Sequence, residues 1–354
     1  MDLYDTIKTW EDGQKPTVDE MEAVLSYNDP DFNNALYQAA SRVRDREFGN
    51  KIFMYGFVYF STYCKNECAF CYYRRTNEIE RYRKNKEEVL EISAGLEKAG
   101  INLVDLTMGE DPKLYADDYK GIVDIVKSVR DTVDTGIMVS PGAVSKETMS
   151  RLRAAGGDIL AVYQETCNRD LFAKMRLKQD YDFRMNQRVW AREAGMLTED
   201  GMLVGIGDTP RDRAEHIKIM GDMKCNQIRA MTFIPQKGTP LQSIAPPVDY
   251  TDELKAIAVM RLAYPDALIP ASLDVEGTAG LKSRVAAGAS VITSIVPPDI
   301  GLAGVAQPEF NINDGHRSID YVRNLAESLG CREATMKEFW DYYESHRPEA
   351  TLRC

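Results

Sequence analysis

The stretch KIFMYGFVYFSTYCKNECAFCYY, residues 51–73, opens as an apolar run and closes by crowding Cys64, Cys68 and Cys71 into eight residues. From Lys51 onward, short apolar runs of this kind alternate with amphipathic helical stretches, the pattern of repeated β-α units around a parallel sheet. Seven further runs follow, at 101–107, 136–140, 159–163, 202–206, 227–233, 267–272 and 290–295. Between them lie segments such as KEEVLEISAGLEKAG and TDELKAIAVMRLAY, several ending in glycine as helix C-termini prefer. Eight runs over roughly 250 residues predict an α/β fold, a complete (β/α)8 TIM barrel. A doubly wound open sheet seldom needs eight units, and no G-x-G-x-x-G follows the first run.

Residues 1–50 read as an N-terminal helical extension, with Thr17 as an N-cap and a carboxylate three residues on. Residues 51–300 form the barrel, and 301–354, with a helix from Gly315, a C-terminal helix and tail packed on it. The 354 residues are 44% hydrophobic and 28% charged, with net charge −11, so a general nucleic-acid role has no basic footprint. No apolar run approaches the roughly 18 residues of a membrane span. The start, MDLYDTIKTWEDGQ, lacks a signal peptide's basic flank and apolar core, which predicts a cytoplasmic protein. In that compartment thiols stay reduced, and clustered cysteines bind metal or react more often than they pair. Cys167, Cys225, Cys331 and Cys354 are scattered and read as inert. His216, His316 and His346 fall outside every motif and read as residues of solvated helices.

In a barrel, chemistry belongs at the C-terminal ends of the strands. The unusual polar residues fall there: the cysteines after run one, MGEDP after run two, SPG, QET and PQKGTP after runs three, four and six, then SLDVEG and PPD. A structural zinc site would want a fourth ligand, which C-x3-C-x2-C lacks. Unliganded thiols would leave oxidisable groups on an exposed loop. Three thiolates on a [4Fe–4S] cluster instead leave one iron open.

C-x3-C-x2-C with an aromatic, Phe70, before the last cysteine resembles the signature of the radical S-adenosylmethionine superfamily. The resemblance implies that Cys64, Cys68 and Cys71 hold a [4Fe–4S] cluster whose open iron is chelated by S-adenosylmethionine. Reduction then gives a 5′-deoxyadenosyl radical, chemistry that the cofactor carries and the protein orients. Met108, Gly109 and Glu110 stand where the superfamily has a GGE-like motif that meets the methionyl ammonium, glycine permitting close approach. YQET and DYDFR resemble elements of the biotin synthase and hydrogenase-maturase branch. They imply Glu165 for the ribose hydroxyls and Arg184 for the methionyl carboxylate, with Arg176 and Arg188 as rivals. Phe70 and Ser140 complete the implied cofactor set.

EFGNKIF, NEIERYR, LTMGEDP, MTFIPQKGTPL, LIPASLD and TSIVPPD, spread in order over about residues 45 to 300, resemble the methylornithine synthase family, which acts first in pyrrolysine biosynthesis. That resemblance implies an isomerase converting L-lysine to (3R)-3-methyl-D-ornithine. Hydrogen abstraction, fragmentation to a glycyl radical and an aminobutene, and recombination at the adjacent carbon are the implied steps. It also implies a reductant such as flavodoxin or ferredoxin, and no nucleic-acid or membrane partner. Lysine asks for a guanidinium and two carboxylates. Arg229 and Ser272 for the carboxylate, with Asp111 and Asp274 for the ammonium groups, match the family's substrate residues. Helix capping is the competing reading of both aspartates, and a structural ion pair that of Arg229. A biotin-synthase-like or maturase-like enzyme on another small amine or acid, or an iron–sulfur electron carrier, is the alternative to the whole.

Overall fold

In the computed structural model the described residues are 2–297, 300, 304 and 317–351. Pro298, Asp299, Gly315, His316 and Cys354 lie outside them. Eight parallel strands carry the fold: β1 Lys51–Ser61, β2 Leu103–Met108, β3 Gly136–Ser140, β4 Ile159–Ala161, β5 Leu197–Val204, β6 Gln227–Thr232, β7 Pro270–Ser272 and β8 Val291–Ile295. They are ordered β6-β5-β4-β3-β2-β1-β8-β7. The two ends meet where Ile228 N donates to Leu268 O at 3.0 Å and Leu268 N to Asn226 O at 2.9 Å, so the sheet closes into the expected (β/α)8 barrel. β1 is buried from Ile52 to its end because it pairs with β2 and β8 and is covered outside by the helix Lys86–Ala99. Gly56 makes that cover possible: a Cβ there would sit 2.7 Å from Leu96 Cδ2.

β5 begins at Leu197, five residues before the apolar run that announces it. LTEDG lies outside the apolar run, yet Thr198, Glu199 and Asp200 are all buried. Strand alternation sends Glu199 and Asp200 to opposite faces, and each meets a cation there. Glu199 accepts from Arg229 Nε at 2.7 Å, and Asp200 lies 3.4 Å from Arg188 and 3.3 Å from His216. Burial opposes the Asp200 charge, but Arg188 and His216 bring the carboxyl down to about 2. His216, expected on a solvated helix face, is 1% exposed and belongs to this network. Polar residues paired with one another carry no periodicity that marks them as core.

Three helices, Leu3–Glu11, Val18–Ser26 and Pro30–Phe48, precede the barrel, and the Thr17–Glu20 capping box starts the second. The C-terminal segment is richer than one helix and a tail. A helix Ile319–Ser328 is followed by β9, Arg332–Glu333, which pairs with the start of β1, and by the helix Met336–His346. A two-residue strand is too short to read, although the Thr335–Glu338 capping box does mark the restart. Phe339 on that last helix packs edge-on against Phe53 and Tyr55, plugging the N-terminal mouth of the barrel. Chemistry is thereby confined to the opposite end. Among the described residues no helix is long and apolar enough to cross a membrane.

Candidate active site

A cavity of about 230 Å3 opens at the C-terminal ends of the strands. The loop after β1 carries Cys64, Cys68 and Cys71 to its wall. Backbone hydrogen bonds fix that loop to its neighbours: Lys65 N donates to Glu110 O at 2.9 Å and Ala69 N to Met175 O at 2.7 Å. The Cys68 sulfur accepts from Gln179 Nε2 at 3.0 Å and faces Arg176 Nη1 at 3.6 Å. Burial pushes the Cys64 thiol up to about 11, and Cys71 higher still, with the neighbouring cysteines adding to it.

Two carboxylate–guanidinium pairs stand on the side of β2 to β4. Glu110 accepts from Ala143 N at 3.1 Å and Arg184 Nη1 at 3.5 Å. Glu165 accepts from Arg176 Nη2 at 2.5 Å and holds a left-handed backbone, φ 68°. A non-glycine residue tolerates that conformation only where the surroundings enforce it; here Glu165 N donates to Gly201 O and Glu165 O accepts from Leu203 N. Arg176 and Arg184 both line the cavity. Arg188 instead reaches Gln164 Oε1 at 2.8 Å and Asp200 in the layer behind β4 and β5, away from the cavity wall.

Met108, Gly109, Glu110, Ser140 and Phe70 also line the cavity. The backbone at Gly109 is crowded on its other side as well. A Cβ there would lie 2.3 Å from Tyr63 O and 3.1 Å from Cys64 Cβ, so its bareness lets the cysteine loop pass. The Ser140 hydroxyl is engaged by Asp105, donating to Oδ1 at 2.8 Å.

The four residues expected around the substrate separate into two pairs. Arg229 and Asp274 line the cavity. Arg229 gives Nε to Glu199 and Nη1 to Thr293 Oγ1 at 3.3 Å, lies over the Tyr163 ring, and keeps a buried Nη2 without a partner among the described residues. Asp274 accepts from Arg317 Nη1 at 2.7 Å, Tyr59 Oη at 2.9 Å and Ser294 Oγ at 2.8 Å. Ser294, like Glu165, has a left-handed φ, 67°. Asp111 and Ser272 are not among the described residues that line the cavity. Asp111 caps the helix Pro112–Arg130 through Lys113 N and is gripped by Arg83 (2.6 and 2.7 Å) and Ser61 Oγ (2.6 Å). Ser272 caps the helix Leu273–Glu276 through Asp274 N at 3.3 Å.

Residues 58–220 match the family model described as the Radical SAM superfamily. The 3-methylornithine synthase of Methanosarcina barkeri is 41% identical over 343 residues, 97% of this chain and 95% of that protein. The chain belongs to the 3-methylornithine synthase family. A crystal structure of methylornithine synthase (PylB) superposes with a TM-score of 0.90 at 40% identity, covering 96% of this chain and 99% of that one. The hydrogenase maturase subunit HydE of Thermotoga maritima is 31% identical over 78% of this chain and 79% of its own.

As a member of the 3-methylornithine synthase family the chain is a radical S-adenosylmethionine enzyme, with a [4Fe–4S] cluster and S-adenosylmethionine as cofactors. Its residues fit them. Among the described residues no three His, Cys, Asp or Glu side chains converge as on a single ion. A cubane asks for something else, one thiolate on each of three irons, and three cysteines line one wall. A neutral thiol is a weak acceptor, whereas the amide and guanidinium donors at Cys68 suit a thiolate. Arg176 Nε is buried beside them without a partner among the described residues. Gln179 was not foreseen; it follows no motif, and only the fold brings it to the sulfur. Because hydrogen bonds to ligand sulfurs raise a cluster's potential, Gln179→Leu is expected to make reduction harder. An EPR-monitored redox titration should show a more negative midpoint than wild type.

Proposed function

We propose that this chain rearranges L-lysine into (3R)-3-methyl-D-ornithine, the opening step of pyrrolysine biosynthesis, in the cytoplasm and with electrons from a flavodoxin or ferredoxin. The observation that carries the substrate reading is Arg229: a fully buried guanidinium in the cavity wall with one nitrogen unpartnered. A substrate carboxylate completes its hydrogen bonding, while Glu199 behind it already balances part of its charge. Asp274 lines the cavity and offers a carboxylate to an ammonium group, sharing its charge with Arg317 and held in place by Tyr59 and Ser294. Ser272 orients the start of the helix that carries Asp274. Asp111 meets an ammonium only by exchanging Arg83 for it, since both its oxygens are engaged.

Cys64, Cys68 and Cys71 hold the cluster, and Met108, Gly109 and Glu110 meet the methionyl ammonium of S-adenosylmethionine. Glu165 accepts from the ribose, Arg184 binds the methionyl carboxylate, and Phe70 and Ser140 complete the wall. When bound, these cofactors supply the one-electron chemistry that starts hydrogen abstraction. The chain's own contribution is enclosure. A rearrangement through two fragments must keep both within reach and away from water. Tyr55 and Phe339 close the floor, and Phe57, Val162 and Leu203 line the wall. In this assignment residues 51–300 are the catalytic barrel, with 1–50 and 301–354 packed on it.

Anaerobic reconstitution followed by product identification from isotopically labelled lysine tests the reading; absence of methylornithine despite intact cofactor binding would refute it. Asp274→Asn should raise the KM for lysine by about 10–100-fold, the equivalent of losing a charged hydrogen bond, with the cluster retained. If iron content fell together with lysine binding, Asp274 would be a structural carboxylate instead.

A further inference from the structure

Cys167 is scattered by sequence but not isolated by the fold. It stands half-buried in the turn between β4 and the helix Arg169–Met175, and is not among the described residues that line the cavity. The helix Pro210–Asp222 brings His216 to it. The imidazole meets Asp200 Oδ2 through Nε2 at 3.3 Å and interacts with the Cys167 thiol as well. Nδ1, buried with no nitrogen or oxygen partner among the described residues, is the ring atom left for the sulfur. Asp200 is itself fixed by Arg188 and by the amides of Gln164 and Gly201, both at 2.8 Å. A thiol, an imidazole and a buried carboxylate in a row form the arrangement that activates a nucleophile. The carboxylate orients the ring and favours its protonated form, and the ring takes the proton from sulfur. Burial opposes a charge on His216, but Cys167 and Asp200 carry its pKa up to about 10. The other described cysteines outside the cluster loop are placed differently: burial above all pushes the Cys225 thiol up to about 12 and raises Cys331 too. Among the described residues no three metal-binding side chains converge, so the row is not an ion site.

We propose that Cys167 is a site of reversible S-thiolation, at which a low-molecular-weight disulfide leaves a mixed disulfide on the enzyme and loosens its hold on S-adenosylmethionine. The Cys167 sulfur attacks one sulfur of the disulfide. That S–S bond breaks as the new one forms, so Cys167 is oxidised and the departing sulfur reduced. The departing thiolate takes the proton that His216 held, and a free thiol reverses the exchange. The effect on the cofactor follows from position. Two residues before Cys167, Glu165 keeps its left-handed backbone and its pair with Arg176 in the cavity wall. One residue after it, Asn168 caps the helix Arg169–Met175 by accepting from Asp170 N and Leu171 N, and reaches Asp212 at 2.9 Å. Tyr181 Oη donates to Cys167 O at 3.0 Å. An adduct in this turn displaces the cap, and with it the short helix that delivers Arg176 to Glu165. The coupling rests on Glu165 as a cofactor residue and not on lysine as the substrate.

The test is anaerobic incubation of the reconstituted enzyme with bis(2-hydroxyethyl) disulfide at neutral pH, remaining thiols being blocked at intervals and each cysteine followed by peptide mass. Cys167 should react about 10-fold faster than N-acetylcysteine. An ordinary thiol is only a few per cent thiolate at neutral pH, and part of the advantage of full ionisation is returned as lower nucleophilicity. His216→Gln should slow Cys167 by about 10-fold without speeding Cys225 or Cys331, whereas a merely loosened fold would expose those two and raise their rates. Cys167→Ser should keep iron content and cofactor affinity within about twofold of wild type. The thiolated wild-type enzyme should bind S-adenosylmethionine about 10-fold more weakly and recover with 2-mercaptoethanol. Preferential labelling of Cys225 or Cys331, or a Cys167 rate equal to that of N-acetylcysteine, would overturn the site. Unchanged cofactor affinity in the adduct would overturn the coupling. Failure of the underlying reading shows separately, as a Glu165→Gln variant that binds S-adenosylmethionine normally, and would take the coupling with it.

Discussion

Cys68→Ala should yield a folded protein with no cluster and no detectable turnover. Cys68 is the most deeply buried of the three cysteines and the one to which the chain aims two donors, Gln179 and Arg176. With two thiolates remaining, two irons rather than one would lack a protein donor, and the selective opening that S-adenosylmethionine needs would be lost. The barrel should survive, because the loop's anchors are backbone hydrogen bonds, Ala69 N to Met175 O and Lys65 N to Glu110 O, which alanine leaves in place. Iron analysis, the absorbance of the anaerobically reconstituted protein and its far-UV circular dichroism check the three parts together. A full complement of iron in the variant would remove Cys68 from the ligand set. Unfolding would make the residue structural.

The contrast between these residues and those the sequence hid has a physical basis. Local spacing is legible: three cysteines on one loop, eight apolar runs, and Met108, Gly109 and Glu110 after β2 are each a pattern within a few residues, and the barrel puts them at one mouth. Pairings across the barrel are not legible. Gln179 reaches a sulfur 111 positions away, and Arg317 reaches Asp274 across 43. Glu199 sits in LTEDG, which has no apolar run, and is buried beside Arg229, which β6 places opposite Gly201.

The aspartates at strand ends show the same limit from the other side. Asp111 and Asp274 share residue type and both stand just after a strand, yet one caps a helix and pairs with Arg83 while the other faces the cavity. Partners of the same kind surround both, Ser61 and Arg83 for Asp111 and Tyr59, Ser294 and Arg317 for Asp274, and only their place relative to the cavity divides them. No spacing rule contains that information. Two of the left-handed non-glycine residues, Glu165 and Ser294, were equally silent in the sequence; Glu165 lines the cavity and Ser294 holds Asp274, which does. Such strain is held by the surrounding fold and leaves no local pattern in the sequence.

Replacing Arg229 should have the second-largest effect, and the form of the replacement matters. Removing the charge outright would strand Glu199, buried beside it, at a cost on the order of 3–5 kcal/mol of stability that would obscure any binding change. Arg229→Lys keeps a cation for Glu199 but replaces a planar fork by a point charge, so the nitrogen without a partner, Nη2, disappears. Lysine should then bind about 100-fold more weakly, close to the loss of a charge-assisted bidentate contact, and kcat/KM should fall further because a substrate shifted by an ångström is presented badly to the reacting atoms. 1,5-Diaminopentane, which keeps both ammonium groups and lacks the carboxylate, supplies the control: its affinity should change by no more than about twofold, since it never used the guanidinium. Equal weakening of both compounds would mean that the substitution distorts the cavity as a whole and that Arg229 belongs to the Glu199 ion pair alone. Normal lysine binding would mean that the carboxylate is held elsewhere.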